Sequence, residues 1–269
     1  MTPAAPLLEL DRVSKRFGRV VVAESLSLAV QAGDAVGMVG PNGAGKSSLF
    51  SVISGDLSPN TGEVLLDGRA VTRLDASARC RLGIGRTYQV PRSFGHMTVF
   101  ENVLVAAHRG AGLAAGAARE LTVAVLDETG LRPDANRPAL RLGLLQRKRL
   151  ELARALATRP RLLMLDEVAA GLTDPEVRQL VGVIQAVRER GVAVIWVEHV
   201  VRALVGVVDR LICLAGGRFI SDGTPEEVLA SPAVREVFLG TDSGGLPRAG
   251  FAEHGEQGGR PPSDGDSSS

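Results

Sequence analysis

Gly40-Pro41-Asn42-Gly43-Ala44-Gly45-Lys46-Ser47, followed by Ser48, is the stretch on which the reading of this chain turns. It matches G-x-x-x-x-G-K-[ST], the spacing of a loop whose backbone cradles phosphate. Ala35-Val36-Gly37-Met38-Val39 before it has the length of a buried strand, and Ser48-Leu49-Phe50-Ser51-Val52-Ile53 after it carries a helical apolar face. A strand, a glycine-rich turn and a helix are the context that such a motif requires. The glycines let successive N–H groups turn inward, and a helix N-terminus adds roughly half a positive charge. Lys46 adds a full charge; at about 4 Å from a phosphate in a partly screened site the attraction is on the order of 4 kcal/mol. Ser47 offers a hydroxyl to Mg²⁺.

Composition sets the bounds. With 269 residues, 45 % of them hydrophobic, the chain can bury one large core or two small ones. Its 31 basic and 30 acidic residues nearly cancel, so no strong field favours nucleic acid. Cys80 and Cys213 lie far apart without His or Cys at ligand spacing, which fits a reducing compartment and argues against zinc. Met1 to Leu8 lack the basic and apolar regions of a signal peptide, so none is expected, and no apolar run approaches the length of a membrane span. Lysine occurs only at Lys15, Lys46 and Lys148 in a chain that otherwise uses arginine. A compact ammonium suits the phosphate loop better than a guanidinium does; Lys148 has no such explanation.

Outward from the loop, Leu7–Leu10, Val20–Val22 and Leu26–Val30 predict antiparallel strands, with a turn at Ser14–Gly18 carrying Phe17. That ring is either a platform for a nucleobase or a cover for the hairpin. Asp67-Gly68 predicts a hairpin turn and Leu82–Gln89 a further strand. From Phe94 to Leu156 the pattern turns helical, as an insertion in a β-containing core. Arg161–Leu165 is again a strand, and Asp166-Glu167 follow at its carboxyl end, where open α/β sheets bind ligands. Asp166 is placed to hold the Mg²⁺ that Ser47 touches, and Glu167 to orient an attacking water. Pro175–Arg190 predicts an amphipathic helix. Val192–Val197 predicts a buried strand ending at Glu198-His199, Arg210–Ile220 a hairpin and Pro225–Phe238 helix. Residues 241–269, rich in Gly, Ser, Pro and Asp, read as a disordered tail.

The ordered set of Phe17, phosphate loop, Gln89, helical insertion, Asp166-Glu167 and His199 resembles the nucleotide-binding subunit of ABC transporters over roughly residues 7–240. Arg86-Thr87-Tyr88-Gln89, Met97–Asn102, Ala170-Gly171-Leu172-Thr173, Glu198-His199 and Gly223–Leu229 resemble more particularly the branched-chain amino acid importer ATPases. The resemblance implies an α/β P-loop NTPase fold of RecA-like type. To that core it adds an antiparallel β subdomain and a helical subdomain of about residues 92–157. It implies that Phe17 stacks on adenine and that Gly40, Pro41, Asn42, Gly43, Ala44, Gly45, Lys46, Ser47 and Ser48 hold the phosphates of ATP. Ser47, Gln89 and Asp166 would arrange Mg²⁺, Glu167 would be the general base, and His199 would contact the γ-phosphate. It further implies head-to-tail dimers at the cytoplasmic face of the membrane, permease partners contacted just after Gln89, an extracytoplasmic binding protein reached through the permease, and no nucleic acid.

One departure stands out. The family's signature, L-S-G-G-Q or a near variant, falls on Leu142-Gly143-Leu144-Leu145-Gln146, which replaces the Ser with Gly143 and the second Gly with Leu145. A shifted register, Leu140–Leu144, restores the Gly but still lacks the Ser. A lost charge-assisted hydrogen bond costs roughly 1.5 to 3 kcal/mol, so pairing with a different ATPase subunit of intact signature is expected. Other classes fit less well. A soluble ABC ATPase of nucleic-acid work would bring a second nucleotide domain or a long coiled coil. A GTPase would need Asn-Lys-x-Asp, and a small-molecule kinase would not place Asp-Glu and a strand-end His at these spacings.

Overall fold

A computed structural model describes residues 5–199 and 201–239; the tail expected at 241–269 lies outside them. An antiparallel sheet forms first, from β1 (Leu8–Phe17) and β2 (Val20–Val30). The phosphate-loop strand β3 (Ala35–Val39) and the helix α1 (Lys46–Ser54) follow. The sheet is then completed by β4 (Thr61–Leu66) and β5 (Arg69–Ala70), in the order β2-β1-β4-β5. Asp67 and Gly68, at φ 49° and 71°, make the tight turn expected between β4 and β5.

The helix α2 (Ala76–Arg81) leads to the short strand β6 (Ile84–Arg86). The chain then leaves the sheet for α3 (Val99–Val105), a π-helical turn at Ala106–Gly110, α4 (Ala115–Glu128) and α5 (Leu144–Leu156). It returns through β7 (Leu162–Asp166), α6 (Asp174–Glu189), β8 (Ala193–Val197) and α7 (Val201–Leu204). The hairpin of β9 (Arg210–Ala215) and β10 (Arg218–Gly223) follows, and then α8 (Pro225–Ala230) and α9 (Pro232–Leu239). The large sheet runs β10-β9-β3-β8-β7-β6, parallel from β9 to β6, with β10 antiparallel at its edge.

Every residue of β3, β7 and β8 is buried, as strands covered on both faces must be. Their side chains alternate between two cores. Leu163, Leu165, Val194 and Trp196 pack with the helical insertion and with α6. Leu162, Met164, Ile195 and Val197 pack with α1 and the antiparallel sheet. The period-2 alternation thus joins three layers through one sheet.

Several expected boundaries move. Ser14–Phe17 is strand rather than turn, because pairing with Val20–Ala23 continues to the end of β1. The expected strands at 20–22 and 26–30 are one strand, with Ser25 in the left-handed region at φ 50° between them. Of the strand expected at 82–89 only Ile84–Arg86 pairs, since β6 is the edge next to β7 and the chain turns away beyond Thr87. The helix expected at 225–238 breaks at Ser231, where Pro232 starts a new one.

Candidate nucleotide-binding site

The site is built where β3, β7 and β8 end. Gly40 passes so close to β9 that a Cβ there would stand 2.0 Å from the Leu214 carbonyl oxygen, and one on Gly45 would stand 2.0 Å from that of Val22. No side chain larger than hydrogen fits at either position. Gly45 caps α1 with φ 104° and no side-chain hydrogen bond, so the first N–H groups of α1 face the loop without a capping oxygen. The Lys46 ammonium, buried, donates to the carbonyl oxygens of Gly40 at 2.7 Å and Pro41 at 3.0 Å. Burial lowers its pKa, and the carboxylates of Glu167 and Asp166 oppose that shift. A cavity of about 340 Å³ opens over the loop, lined by Val22, Asn42, Gly43, Ala44, Gly45, Lys46, Ser47, Ser48, Gln89 and Glu167.

Asp166 ends β7 and is 2 % exposed. Its Oδ2 accepts from Arg86 Nη2 at 3.3 Å, while Oδ1 is buried with no protein partner. Burial raises this carboxyl above its ordinary range, and the Arg86 charge pulls it back. Glu167 follows in a left-handed conformation, φ 49°, its N–H donating to the Val197 carbonyl at 3.0 Å. That bend turns its side chain toward the loop. Gln89 Nε2 donates to Glu167 Oε2 at 2.6 Å, and His199 Nδ1 lies 3.9 Å from the same oxygen. An oxygen-rich set of hydroxyl, amide and carboxylate, one carboxylate oxygen lacking a partner, suits a hard cation such as Mg²⁺. Among the described residues no group of three or more His, Cys, Asp or Glu could hold a metal. An ion at Ser47, Gln89 and Asp166 would therefore complete its shell with water and phosphate oxygens.

Residues as far apart as Gly40 and His199 thus converge at one sheet edge. Phe17 does not line the cavity. It stands half-exposed at the tip of the β1–β2 hairpin, with the Lys15 ammonium 5.1 Å above its ring. Leu142, Gly143, Leu144, Leu145 and Gln146 also lie away from the cavity. Gly143 caps α5, Leu144 opens its first turn and is 48 % exposed, and a Cβ on Gly171 would stand 3.1 Å from Leu144 Cδ2. An N-cap is where a serine hydroxyl belongs, which favours the register that puts Gly143 in the place of the signature serine.

Three residues have contacts to which the sequence assigned no role. Arg86 bridges Asp166 to Ser51, Ser54 and Asp56, with its guanidinium between the rings of Phe50 and Tyr88. Lys148 and Glu198 are buried beside Glu167. Only the oddity of a lysine in an arginine-writing chain pointed to Lys148.

Comparison with known proteins agrees with this geometry. Residues 23–170 match the ABC transporter family model, and residues 220–243 match that of the branched-chain amino acid ATP-binding cassette transporter. The chain is 37 % identical over 250 residues to the high-affinity branched-chain amino acid transport ATP-binding protein BraF of Pseudomonas aeruginosa, covering 87 % of this chain and 98 % of that one. It is 35 % identical over 234 residues to the lipopolysaccharide export system ATP-binding protein LptB of Acidithiobacillus ferridurans, covering 87 % and 97 %. A crystal structure of the ADP conformation of an ATP-binding cassette of an ABC transporter superposes with a TM-score of 0.78 at 26 % identity, covering 87 % of this chain and 99 % of that one. With its phosphate loop, its strand-end carboxylates and its likeness along most of its length, this chain belongs to the ABC transporter family, as an ATP-binding and ATP-hydrolysing subunit.

Proposed function

We propose that this chain powers the import of branched-chain amino acids, hydrolysing Mg-ATP at the cytoplasmic face of the membrane as a peripheral partner of permease subunits. The observation that carries the chemistry is the meeting of Gln89 and His199 on one oxygen of Glu167, opposite the phosphate loop. Phosphoryl transfer needs positioning and charge stabilisation more than covalent help. Lys46 and the N–H groups of α1 would hold the phosphates, Ser47, Gln89 and Asp166 would hold Mg²⁺, and Glu167 would orient and deprotonate the attacking water. His199 steadies the γ-phosphate, and Phe17 supports the base from the hairpin tip. Bound Mg²⁺ would supply neutralisation of the phosphate charge.

Identity of 37 % to an amino-acid system and 35 % to a lipopolysaccharide system does not choose the cargo. The match of residues 220–243 to a branched-chain amino acid model favours the former. A partner ATPase is the second part of the proposal. Leu145 stands in the first turn of α5 where a close approach to phosphate calls for glycine, and Gly143 brings no hydroxyl. A site built on this signature is weakened, which a heterodimer with an intact partner signature tolerates. Purification of the chain from its native membranes in mild detergent tests the whole reading. Recovery of two permease chains, a second ATPase and an amino-acid-binding receptor is the expected result; recovery of a soluble chain with ribosomal or DNA partners would overturn it.

A further inference from the structure

Lys148 lies on α5, one turn beyond the N-terminus that bears the signature residues, and is 5 % exposed. Its Nζ donates to the backbone carbonyl oxygen of Glu167 at 2.9 Å. That carbonyl belongs to a glutamate in the left-handed region, a conformation that persists only where its surroundings hold it. The Glu167 N–H is tied to β8 through the Val197 carbonyl, and its C=O is tied to α5 through Lys148. The contact therefore reaches from the signature helix to the backbone of the carboxylate that faces the phosphate loop.

A buried ammonium needs compensating charge. Lys148 lies in the field of Glu198, Glu167, Asp166 and Glu151, which opposes the lowering of its pKa by burial. Glu198, fully buried, accepts on Oε1 from the Ala169 N–H at 2.8 Å and from Trp196 Nε1 at 3.1 Å, while its Oε2 has no partner. Lysine suits this place because it carries a compact charge with three donors on a long flexible stem.

We infer that Lys148 is a positioning residue that fixes the backbone of Glu167 to the helix carrying this chain's own signature. In a head-to-tail dimer that helix faces the nucleotide of the partner's site, whereas Glu167 serves the nucleotide on this chain's own loop. A shift of α5 on engaging one nucleotide then changes the alignment of the carboxylate at the other. The altered signature keeps a use on this account, since it reports occupancy even where it supports little hydrolysis. The inference rests on the reading of Glu167 as the base and of α5 as the signature helix.

The test is Lys148→Met in the assembled transporter, with Lys148→Arg beside it. Misalignment of about 1 Å at a reacting group costs up to about 100-fold. Lys148→Met is therefore expected to lower kcat by about 10- to 100-fold with nucleotide Kd within about twofold, and Lys148→Arg to recover most of the loss. In a Glu167→Gln background, Lys148→Met is expected to add nothing to the loss in single-turnover hydrolysis, because both changes act through one carboxylate. An unchanged kcat, an equal loss in both backgrounds, or a rise in Kd with a fall in Tm large enough to account for the lost activity would each overturn the inference. Full turnover by Glu167→Gln alone would instead remove the reading of the base on which it stands.

Discussion

Arg86 has few substitutes because its guanidinium does several things at once. It neutralises Asp166 and Asp56, donates to two serines of α1 and stacks on Phe50 and Tyr88. Removing one partner of a buried ion pair typically costs about 3 to 5 kcal/mol. Arg86→Met should lose stability of that order in urea unfolding, and should raise the Mg²⁺ concentration needed for half-maximal hydrolysis because Asp166 is no longer held. Glu198 gives a pH dependence with a definite sign. Burial raises its carboxyl above the ordinary 4.5, so the folded chain binds that proton more tightly than the unfolded chain does. Its contribution to stability therefore falls as pH rises from about 4.5 through the folded pKa. Relative to the parent, Glu198→Gln should gain stability between pH 4 and pH 7, measured by denaturant midpoint, because the variant lacks this titration; the loss of the charge facing Lys148 offsets the gain at both pH values. The Cys213 thiol, buried and pushed up to about 11, should resist alkylation at pH 8 until the chain unfolds.

At the scale of elements, α1 matters most, because its first turn faces the phosphate site and its last turn is capped from outside. The buried Arg79 of α2 donates to the carbonyl oxygens of Val52 at 2.7 Å and Ile53 at 2.8 Å, and also to those of Thr72 and Leu74. Those two carbonyls belong to the end of α1, where a cation is favoured by the helix dipole. Arg79→Met strands these acceptors and should cost about 3 kcal/mol, seen in urea unfolding, with nucleotide affinity per folded molecule unchanged. Such long-range capping was not legible in the sequence, since nothing local says which carbonyls a guanidinium 26 residues away will find. The elements themselves were largely legible where one rule acts alone. Fully apolar runs became β3, β7 and β8, and Asp67-Gly68 became a hairpin. Ends set by pairing were not: β1 runs on through Phe17 because β2 keeps pairing with it despite three register shifts, and β6 stops after three residues.

For the whole molecule, the phosphate loop and the strand-end acids were readable because each follows from a strand and its immediate continuation. The strand order β10-β9-β3-β8-β7-β6, which brings Gly40, Asp166 and His199 to one edge, was not written in any local pattern. The same holds for Lys148, whose partner is 19 residues away, just beyond the end of β7. The altered signature leads to a prediction at the level of assembly. Glu167→Gln protein with Mg-ATP should remain monomeric by mass in solution and should dimerise only when a second ATPase subunit is added; a stable homodimer would contradict the weakened site. The most direct test of the account as a whole measures nucleotide binding and hydrolysis side by side for Glu167→Gln and Lys46→Ala in the assembled transporter. Glu167→Gln is expected to bind Mg-ATP as the parent does and not to turn it over, while Lys46→Ala loses binding. Sustained hydrolysis by the Glu167 variant would contradict it.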